Sequence, residues 1–255
     1  MLNRSPWNWT DWSGRTLGQG VGGSLLSLFA NGEDGFLFYP MVAAGLFQDT
    51  AGTTPVTADG DPVGRDVDQS GKGNNALQAT AGKRPFWKLN SGKPYILMDG
   101  VDDFLQQASI IPGQAGTIVL AFRPAGLSLL AFCGGTGTGN KRLRLGTGTS
   151  GQIKVVYNNV TDINLSGVDM RGVDTNAILT WDASGYATYL DGAAGPTAAT
   201  APNMDGTGGG YTLGAVEGGT SSWMNCRIYF ALALNRRISA AEAALLTSTC
   251  RSTYQ

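Results

Sequence analysis

Short apolar runs separated by turn-forming pairs, rather than sustained helical periods, fill most of the chain between residues 36 and 235. The runs are rich in β-branched and aromatic residues and lie at residues 95–98, 117–122, 153–157, 177–181, 187–190, 211–213 and 226–234. Asp191-Gly192 directly follows one of them, as expected where a strand enters a hairpin, because this pair readily adopts positive φ. The pattern predicts an all-β fold.

One short helix is predicted near the C-terminus. Ser239 and Glu242 form a capping-box pattern, in which the serine hydroxyl accepts from the amide of Glu242 and the glutamate reaches back to the amide of Ser239. The apolar residues that follow extend the helix to about residue 249. Glu242 therefore has a structural role, which weakens any catalytic assignment to it.

Residues 1–35 differ from the rest of the chain because they combine large aromatic residues with frequent glycine. Trp7, Trp9 and Trp12 lie here, in a segment with too few apolar positions to fold alone. We interpret this segment as an extended arm that attaches to a larger particle through its tryptophans. A strap packed across the chain's own domain and a sugar-stacking surface are the alternatives.

Composition narrows the function classes. The net charge is −1 and 15% of the residues are charged, so we expect no nucleic-acid partner. Histidine, the commonest general base and metal ligand, is absent. Cys133, Cys226 and Cys250 are widely spaced and are interpreted as buried apolar side chains, with one disulfide as the alternative. No apolar stretch resembles a membrane span or a signal peptide, so we expect synthesis in the cytoplasm with neither.

Several motifs follow one another between residues 68 and 242. Residues 68–76 read D-Q-S-G-K-G-N-N-A, and residues 96–105 read I-L-M-D-G-V-D-D-F-L. Residues 181–182 and 189–192 read W-D and Y-L-D-G, and residues 228–242 end in N-R-R-I-S-A-A-E. These motifs resemble, in the same order, those of concanavalin A-like, laminin-G-type domains, with Met98 where phenylalanine is usual. The resemblance spans residues 65–246 and implies a two-sheet antiparallel jelly-roll sandwich.

A second set of motifs lies upstream. Residues 27–33 read S-L-F-A-N-G-E, residues 46–57 read L-F-Q-D-T-A-G-T-T-P-V-T and residues 60–64 read G-D-P-V-G. They resemble stretches that precede such a lectin-like domain in tailed-bacteriophage and prophage structural proteins. The resemblance implies a virion component: a head fibre, a decoration protein or a tail-associated adhesin. Its expected partners are capsid, portal or tail proteins, further copies of itself and a host surface glycan.

These motifs divide the chain into three predicted parts. Residues 1–35 form the anchor arm, residues 36–64 connect it, and residues 65–255 form the sandwich.

Whether a protein with such a fold can hydrolyse glycans depends on a suitably spaced pair of carboxylates. Laminarinase-type hydrolases on this fold carry E-x-D-x-x-E on one strand, and retaining hydrolysis needs two carboxyl groups about 5 Å apart. Glu33, Glu217 and Glu242 lack this spacing. Histidine, which lyases on jelly-roll folds commonly use, is absent from the chain. We predict a non-enzymatic protein that requires no cofactor. A glycan-active hydrolase or lyase on the same fold, or a cellular carbohydrate-binding module, is the alternative.

Asp99, Asp102 and Asp103 form the tightest carboxylate cluster of the predicted sandwich. They are either turn formers that bind backbone amides or ligands of a calcium ion. Asp66 and Asp68 would join the ion if their loop folds beside Asp99.

Three further residues are candidates for glycan binding. Trp223 follows a Gly- and Ser-rich stretch and is either a sugar-stacking platform or a subunit contact. Arg142 and Arg144 follow a glycine-rich loop and carry positive charge. They would meet an acidic polysaccharide, or they lie on a solvated strand face.

Overall fold

A computed structural model describes residues 25–255, apart from residues 42, 109, 111–112, 129–130, 137–140, 158–160, 201–209 and 217–218. Two antiparallel sheets and a C-terminal helix make up this part of the chain, so the predicted all-β sandwich is confirmed. Trp7, Trp9, Trp12 and Glu217 lie outside the described residues. In the described part, no helix has the length and apolar character needed to cross a membrane.

We call the two sheets the back sheet and the front sheet. Neighbouring strands of the back sheet are β15 (Ala193–Ala198), β14 (Gly185–Leu190), β13 (Thr175–Asp182), β8 (Gly116–Pro124), β17 (Asn225–Leu234), β6 (Lys93–Asp99) and β5 (Phe86–Asn90), and β1 (Gly35–Phe38) pairs with β17. Neighbouring strands of the front sheet are β12 (Thr161–Asn164), β11 (Ile153–Tyr157), β10 (Lys141–Thr147), β9 (Phe132–Thr136), β16 (Tyr211–Leu213), β7 (Leu105–Gln107), β4 (Ala76–Leu77), β3 (Arg65–Asp66) and β2 (Leu46–Phe47). Single 3-10 turns occur at Ser27–Phe29, Ala43–Gly45 and Ala81–Lys83, and helix α1 spans Ala240–Tyr254.

Side chains that alternate along the back-sheet strands enter two separate cores. In β8, Ile118 and Leu120 belong to the core between the sheets, whereas Val119 and Ala121 belong to a second core that includes α1 residues. Both faces of this strand are therefore buried, which explains its continuous apolar sequence. Helix α1 packs on β6, β8, β13 and β17, so it covers the outer face of the back sheet.

The capping box at the start of α1 is confirmed. The Ser239 hydroxyl accepts from the Glu242 amide at 3.2 Å, and the Glu242 carboxylate accepts from the Ser239 amide at 2.7 Å. Arg236 binds the same carboxylate at 2.6 Å and binds Glu33 at 3.0 Å. The hydrogen bond from Arg236 lowers the pKa of Glu242 to about 2. Glu33 and Glu242 are thus both committed to one structural ion-pair network.

Helix α1 is longer than the sequence predicts. It runs to Tyr254 rather than ending near residue 249. Cys250 and Thr253 are buried, so packing on the back sheet overrides the weak helix propensity of the Thr- and Ser-rich last turns. Cys133 and Cys226 are also buried, and these three cysteines form no disulfide, which confirms the predicted apolar role.

The first described residues belong to the packed structure. Leu25, Leu28 and Phe29 are buried in the second core, and the strands β1, β2 and β3 take part in the sheets although they lie at or before residue 66. Pairing of these strands with β17 and β4 brings the segment before the predicted sandwich into the fold.

Strand β15 is the outermost strand of the back sheet, and most of its residues are exposed. Pro196 lies within it, and its carbonyl accepts from the Thr188 hydroxyl at 2.8 Å. Proline lacks an amide hydrogen and is tolerated in sheets at edge strands and bulges, which suits this position beside the irregular pairing of β14 with β15.

One buried carboxylate joins the two sheets. Asp68 accepts from the amides of Leu37, Ser70 and Asn74 at 2.9 Å each, and from the Ser70 hydroxyl at 2.8 Å. Leu37 lies in β1 of the back sheet, whereas Asp68 begins the loop between β3 and β4 of the front sheet. Asn74 donates in turn to the carbonyl of Gly35 at 2.7 Å. These bonds give Asp68, Ser70 and Asn74 of the D-x-S-G-x-G-N motif a structural role.

Replacing Asp68 by alanine should lower the free energy of unfolding by about 3 kcal/mol or more, because buried donors lose a charged acceptor. Chemical denaturation monitored by tryptophan fluorescence measures this change. The matched control is Asp162→Ala, which removes an exposed ion pair with Lys154 and should cost no more than about 0.5 kcal/mol. Equal effects of the two substitutions would contradict the structural role of Asp68.

Candidate functional site

Arg142 and Arg144 lie on the outer face of the front sheet. They alternate along β10 with Leu143 and Leu145, which are buried in the core between the sheets. The two arginines therefore lie on a strand face, and contact with an acidic polysaccharide stays a prediction.

Trp223 and Arg144 come together in one groove of about 390 Å³. The other lining residues are small or polar apart from one leucine, and they are Leu127, Ser128, Thr147, Gly148, Thr149 and Ser222. Arg142 is not among the residues that line this groove. The structure thus joins two of the three predicted glycan-binding residues and leaves the third farther along the same strand.

Two short segments, residues 126–128 and residues 222–223, border the groove. The Thr147 hydroxyl donates to the carbonyl of Gly126 at 2.8 Å and accepts from the amide of Ser128 at 3.0 Å, which fixes residues 126–128 beside the end of β10. The Ser128 hydroxyl donates to the carbonyl of Ser222 at 3.3 Å. Ser222 has a φ of 57°, a left-handed conformation that non-glycine residues seldom adopt, and it directly precedes Trp223.

Trp223 is partly exposed, but its indole nitrogen is buried and has no hydrogen-bond partner among the described residues. Buried indole N–H groups usually find a partner. Leu127, which also lines the groove, is 51% exposed and adds apolar surface to it. An aromatic face, an apolar rim and an arginine in one groove can hold a ring that has apolar faces and polar edges.

The lining residues that the structure describes for this groove include no aspartate or glutamate. The arrangement therefore offers stacking and hydrogen-bond donation rather than a pair of acids. Sequence reasoning identified Trp223 and Arg144, but Ser128 and Leu127 carried no motif, because only the pairing of their loop with β10 and with residue 222 brings them here.

Asp99, Asp102 and Asp103 are close enough for one cation, since their carboxylate oxygens lie within 4.8 Å of one another. Asp99 also accepts from the Val101 amide at 2.7 Å and from the Asp102 amide at 3.3 Å. Asp103 accepts from the Asp99 amide at 3.1 Å. Turn formation accounts for two of the three carboxylates, and calcium binding stays a prediction.

Asp66 and Asp68 do not join this cluster. Asp68 binds the loop that follows it and the backbone of β1. Asp66 is fully buried, and neither of its oxygens has a hydrogen-bond partner in the described structure. Burial, reinforced by the charge of Asp68, raises the pKa of Asp66 well above its usual range.

Burial also raises the pKa of Asp103 to about 7, and the charges of Asp99 and Asp102 act in the same direction. The folded state therefore binds the proton more tightly than the unfolded state, whose pKa is near 3.8. Stability contributed by this group is present below pH 3.8 and is lost as the pH rises towards 7.

Asp103→Asn should therefore raise the free energy of unfolding at pH 8 by about 1–2 kcal/mol and leave it nearly unchanged at pH 4. Urea unfolding at the two pH values measures this difference. Asp162→Asn, at an exposed position, is the control and should change either value by no more than about 0.5 kcal/mol. A variant less stable than the wild type at pH 8 would contradict the prediction. Calcium that stabilises the wild type at pH 8, but not Asp103→Asn, would support a cation site.

Comparison with known proteins supports the fold. No family model matches the chain, and no curated protein matches it. Domain 4 of AbnA, a GH43 extracellular arabinanase from Geobacillus stearothermophilus solved with arabinotriose, aligns at 12% identity over 64% of this chain and 81% of that one, with a TM-score of 0.54. A Trypanosoma rangeli sialidase, solved with a 2,3-difluoro-KDN ligand, aligns at 15% identity over 88% of this chain, with a TM-score of 0.60. The match spans 33% of the sialidase chain. The chain has the β-sandwich fold found in these proteins.

Proposed function

We propose that the chain is a non-enzymatic glycan-binding β-sandwich whose ligand lies in the groove between Trp223 and Arg144. The observation that carries this proposal is the partly exposed indole of Trp223, which has a buried, unpartnered N–H and lies in one groove with Arg144. The fold likeness to an arabinanase domain solved with arabinotriose is compatible with it.

Sugar recognition suits this chemistry. A pyranose or furanose ring has an apolar C–H face that packs on an indole, and its hydroxyls accept hydrogen bonds at the edges. Arg144 supplies several donors in a planar fork. Ser128 also lines the groove. The exposed Leu127 extends the apolar surface past the indole.

A binding role is favoured over hydrolysis by the carboxylates of the described residues. Glu33 and Glu242 are both bound to Arg236, and the low pKa of Glu242 keeps it ionised rather than available as an acid. Asp103 has a raised pKa, but turn amides occupy it and Asp99. A glycan-active enzyme on this fold remains the competing proposal.

We further propose that the sandwich is displayed on a tailed-bacteriophage particle to which the N-terminal arm attaches it. This part rests on the resemblance of residues 27–33, 46–57 and 60–64 to phage structural proteins. A cellular carbohydrate-binding module is equally compatible with the fold, and attachment to a particle separates the two.

The glycan proposal predicts selective signals on a glycan array and a loss of at least about tenfold in affinity for Trp223→Ala, as is typical of an aromatic anchor. Phe86→Ala is the matched control, because Phe86 is 41% exposed on the back-sheet edge and lies outside the groove. Repeating the array with EDTA tests calcium dependence. Binding that survives Trp223→Ala unchanged would remove the groove from the proposal, and release of sugar product from a bound glycan would favour the enzyme.

The attachment proposal predicts that deletion of residues 1–24 abolishes co-purification with particles while the melting temperature stays the same. The deletion ends before Leu25, because Leu25 and Leu28 are buried in the second core. Quantitative mass spectrometry of purified particles measures retention against the full-length chain. Full retention of the shortened chain would exclude the arm as the attachment element.

A further inference from the structure

A second cavity, of about 470 Å³, lies towards the opposite edge of the front sheet, near β2 and β3. Its walls combine Leu26, Ala44, Phe47 and Val67 with Arg65 and Gln69. It shares no lining residue with the Trp223 groove. Arg65 in β3 and Arg144 in β10 are separated by five strand spacings, which amounts to roughly 24 Å. We call it the Arg65 cavity.

Arg65 is a half-buried cation without an ion pair among the described residues. Its hydrogen bond is a long one, from Nη1 to the carbonyl of Ala51 at 3.4 Å. Its Nε is buried and has no partner. A guanidinium has five donors in a planar fork that fits a carboxylate with two parallel hydrogen bonds. Most of the donors of Arg65 therefore remain available to a ligand.

The segment that resembles phage proteins builds the wall behind this arginine. Asp49 accepts from the amides of Thr53 and Thr54 at 3.1 and 2.8 Å and thereby closes the turn. Gly52 within the turn has a φ of 78°, and a Cβ at this position would lie 3.1 Å from Nη1 of Arg65. The glycan groove makes no use of this motif, and its glycine leaves room for the guanidinium.

Two carboxylates lie near Arg65, and neither neutralises it. Asp66 is the next residue in the strand, so its side chain points to the opposite face, where it is fully buried. Asp68 contributes to the cavity wall, but its oxygens are occupied by the amides of Leu37, Ser70 and Asn74 and by the Ser70 hydroxyl. Arg65 lines the cavity, and no ion pair among the described residues offsets its charge there.

Apolar side chains flank Arg65 across the sheet. Phe47 is its direct neighbour in β2 and Leu77 in β4, and Leu77 is 41% exposed. The Gln69 carboxamide donates to the carbonyl of Tyr39 at 3.0 Å, which leaves its oxygen as an acceptor. A ligand that fits these walls has one anionic group, a ring with an apolar face and hydroxyl donors.

We propose that the Arg65 cavity binds a carboxylate-bearing sugar of the uronic acid class, with the carboxylate on Arg65 and the ring against Phe47. A single carboxylate matches the single cation of the cavity, whereas a phosphate dianion would bring excess negative charge beside Asp68. The volume lies within the range of small-molecule sites. This site is separate from the Trp223 groove, and its existence does not depend on the function proposed for that groove.

The test compares methyl β-glucuronide with methyl β-glucoside, which differ only in a carboxylate against a hydroxymethyl group. Each is titrated into the ¹⁵N-labelled full chain and followed by amide chemical shifts. We expect the glucuronide to bind at least about tenfold more tightly, as charge-assisted bidentate pairing implies, with the largest shifts at Gly52 and Gly71. Equal binding of the two sugars, no binding of either, or shifts confined to the Trp223 groove would overturn the proposal without any variant.

Variants then test whether Arg65 causes the preference for the glucuronide over the glucoside. Arg65→Gln should abolish the difference between the two sugars while the spectrum keeps its dispersion. Arg84→Gln is the matched control, since Arg84 binds the carbonyls of Gln78 and Ala79 and does not line the cavity. Trp223→Ala should leave glucuronide binding unchanged, so failure of the glycan array and failure of this titration are distinguishable. Persistence of the preference in Arg65→Gln would exclude Arg65 as the carboxylate ligand.

Discussion

The buried carboxylate of Asp68 is the interaction on which the arrangement of the two sheets depends at this edge. It accepts from the backbone of β1 in the back sheet and from the loop that leaves β3 in the front sheet, so the sheets cannot separate here without exposing unpaired donors. The same bonds fix the position of Gln69 and Ser70, which lie on the wall of the Arg65 cavity. A motif that resembles a family signature therefore fixes the fold first, and the wall of the cavity follows from it.

The two sheets differ in how far their outer faces are covered. Helix α1 and residues 25–29 bury the outer face of the back sheet, whereas the outer face of the front sheet carries Arg65, Leu77 and Arg144. Val216 packs on Cys133, and Gly219 lies close to the ring of Phe104. The Trp223 groove and the Arg65 cavity share no lining residue.

Much of this architecture is predictable from local pattern, and its limits have physical causes. The long strands β8, β13 and β17 are evident from their continuous apolar runs, and the pairing of Ser239 with Glu242 three residues later is enough to mark the start of α1. By contrast, β2, β3 and β4 are two residues each and are strands only because they pair with one another. The partners of Trp223 come from separate loops, so no spacing rule could identify them. Asp66 could not be recognised as buried, because aspartate is normally exposed and the two-residue strand that carries it is too short to show an alternating pattern.

Pro196 in the outermost strand of the back sheet affects how this sheet edge can pair with another copy of the protein. Edge strands offer their unpaired amides to any other chain, and crowding many copies side by side favours such pairing. The carbonyl of Pro196 is already occupied by the Thr188 hydroxyl, and the pairing of β14 with β15 is irregular beside it. This edge is therefore a poorer template for a further strand than a regular one, which works against association of copies through the sheet edge.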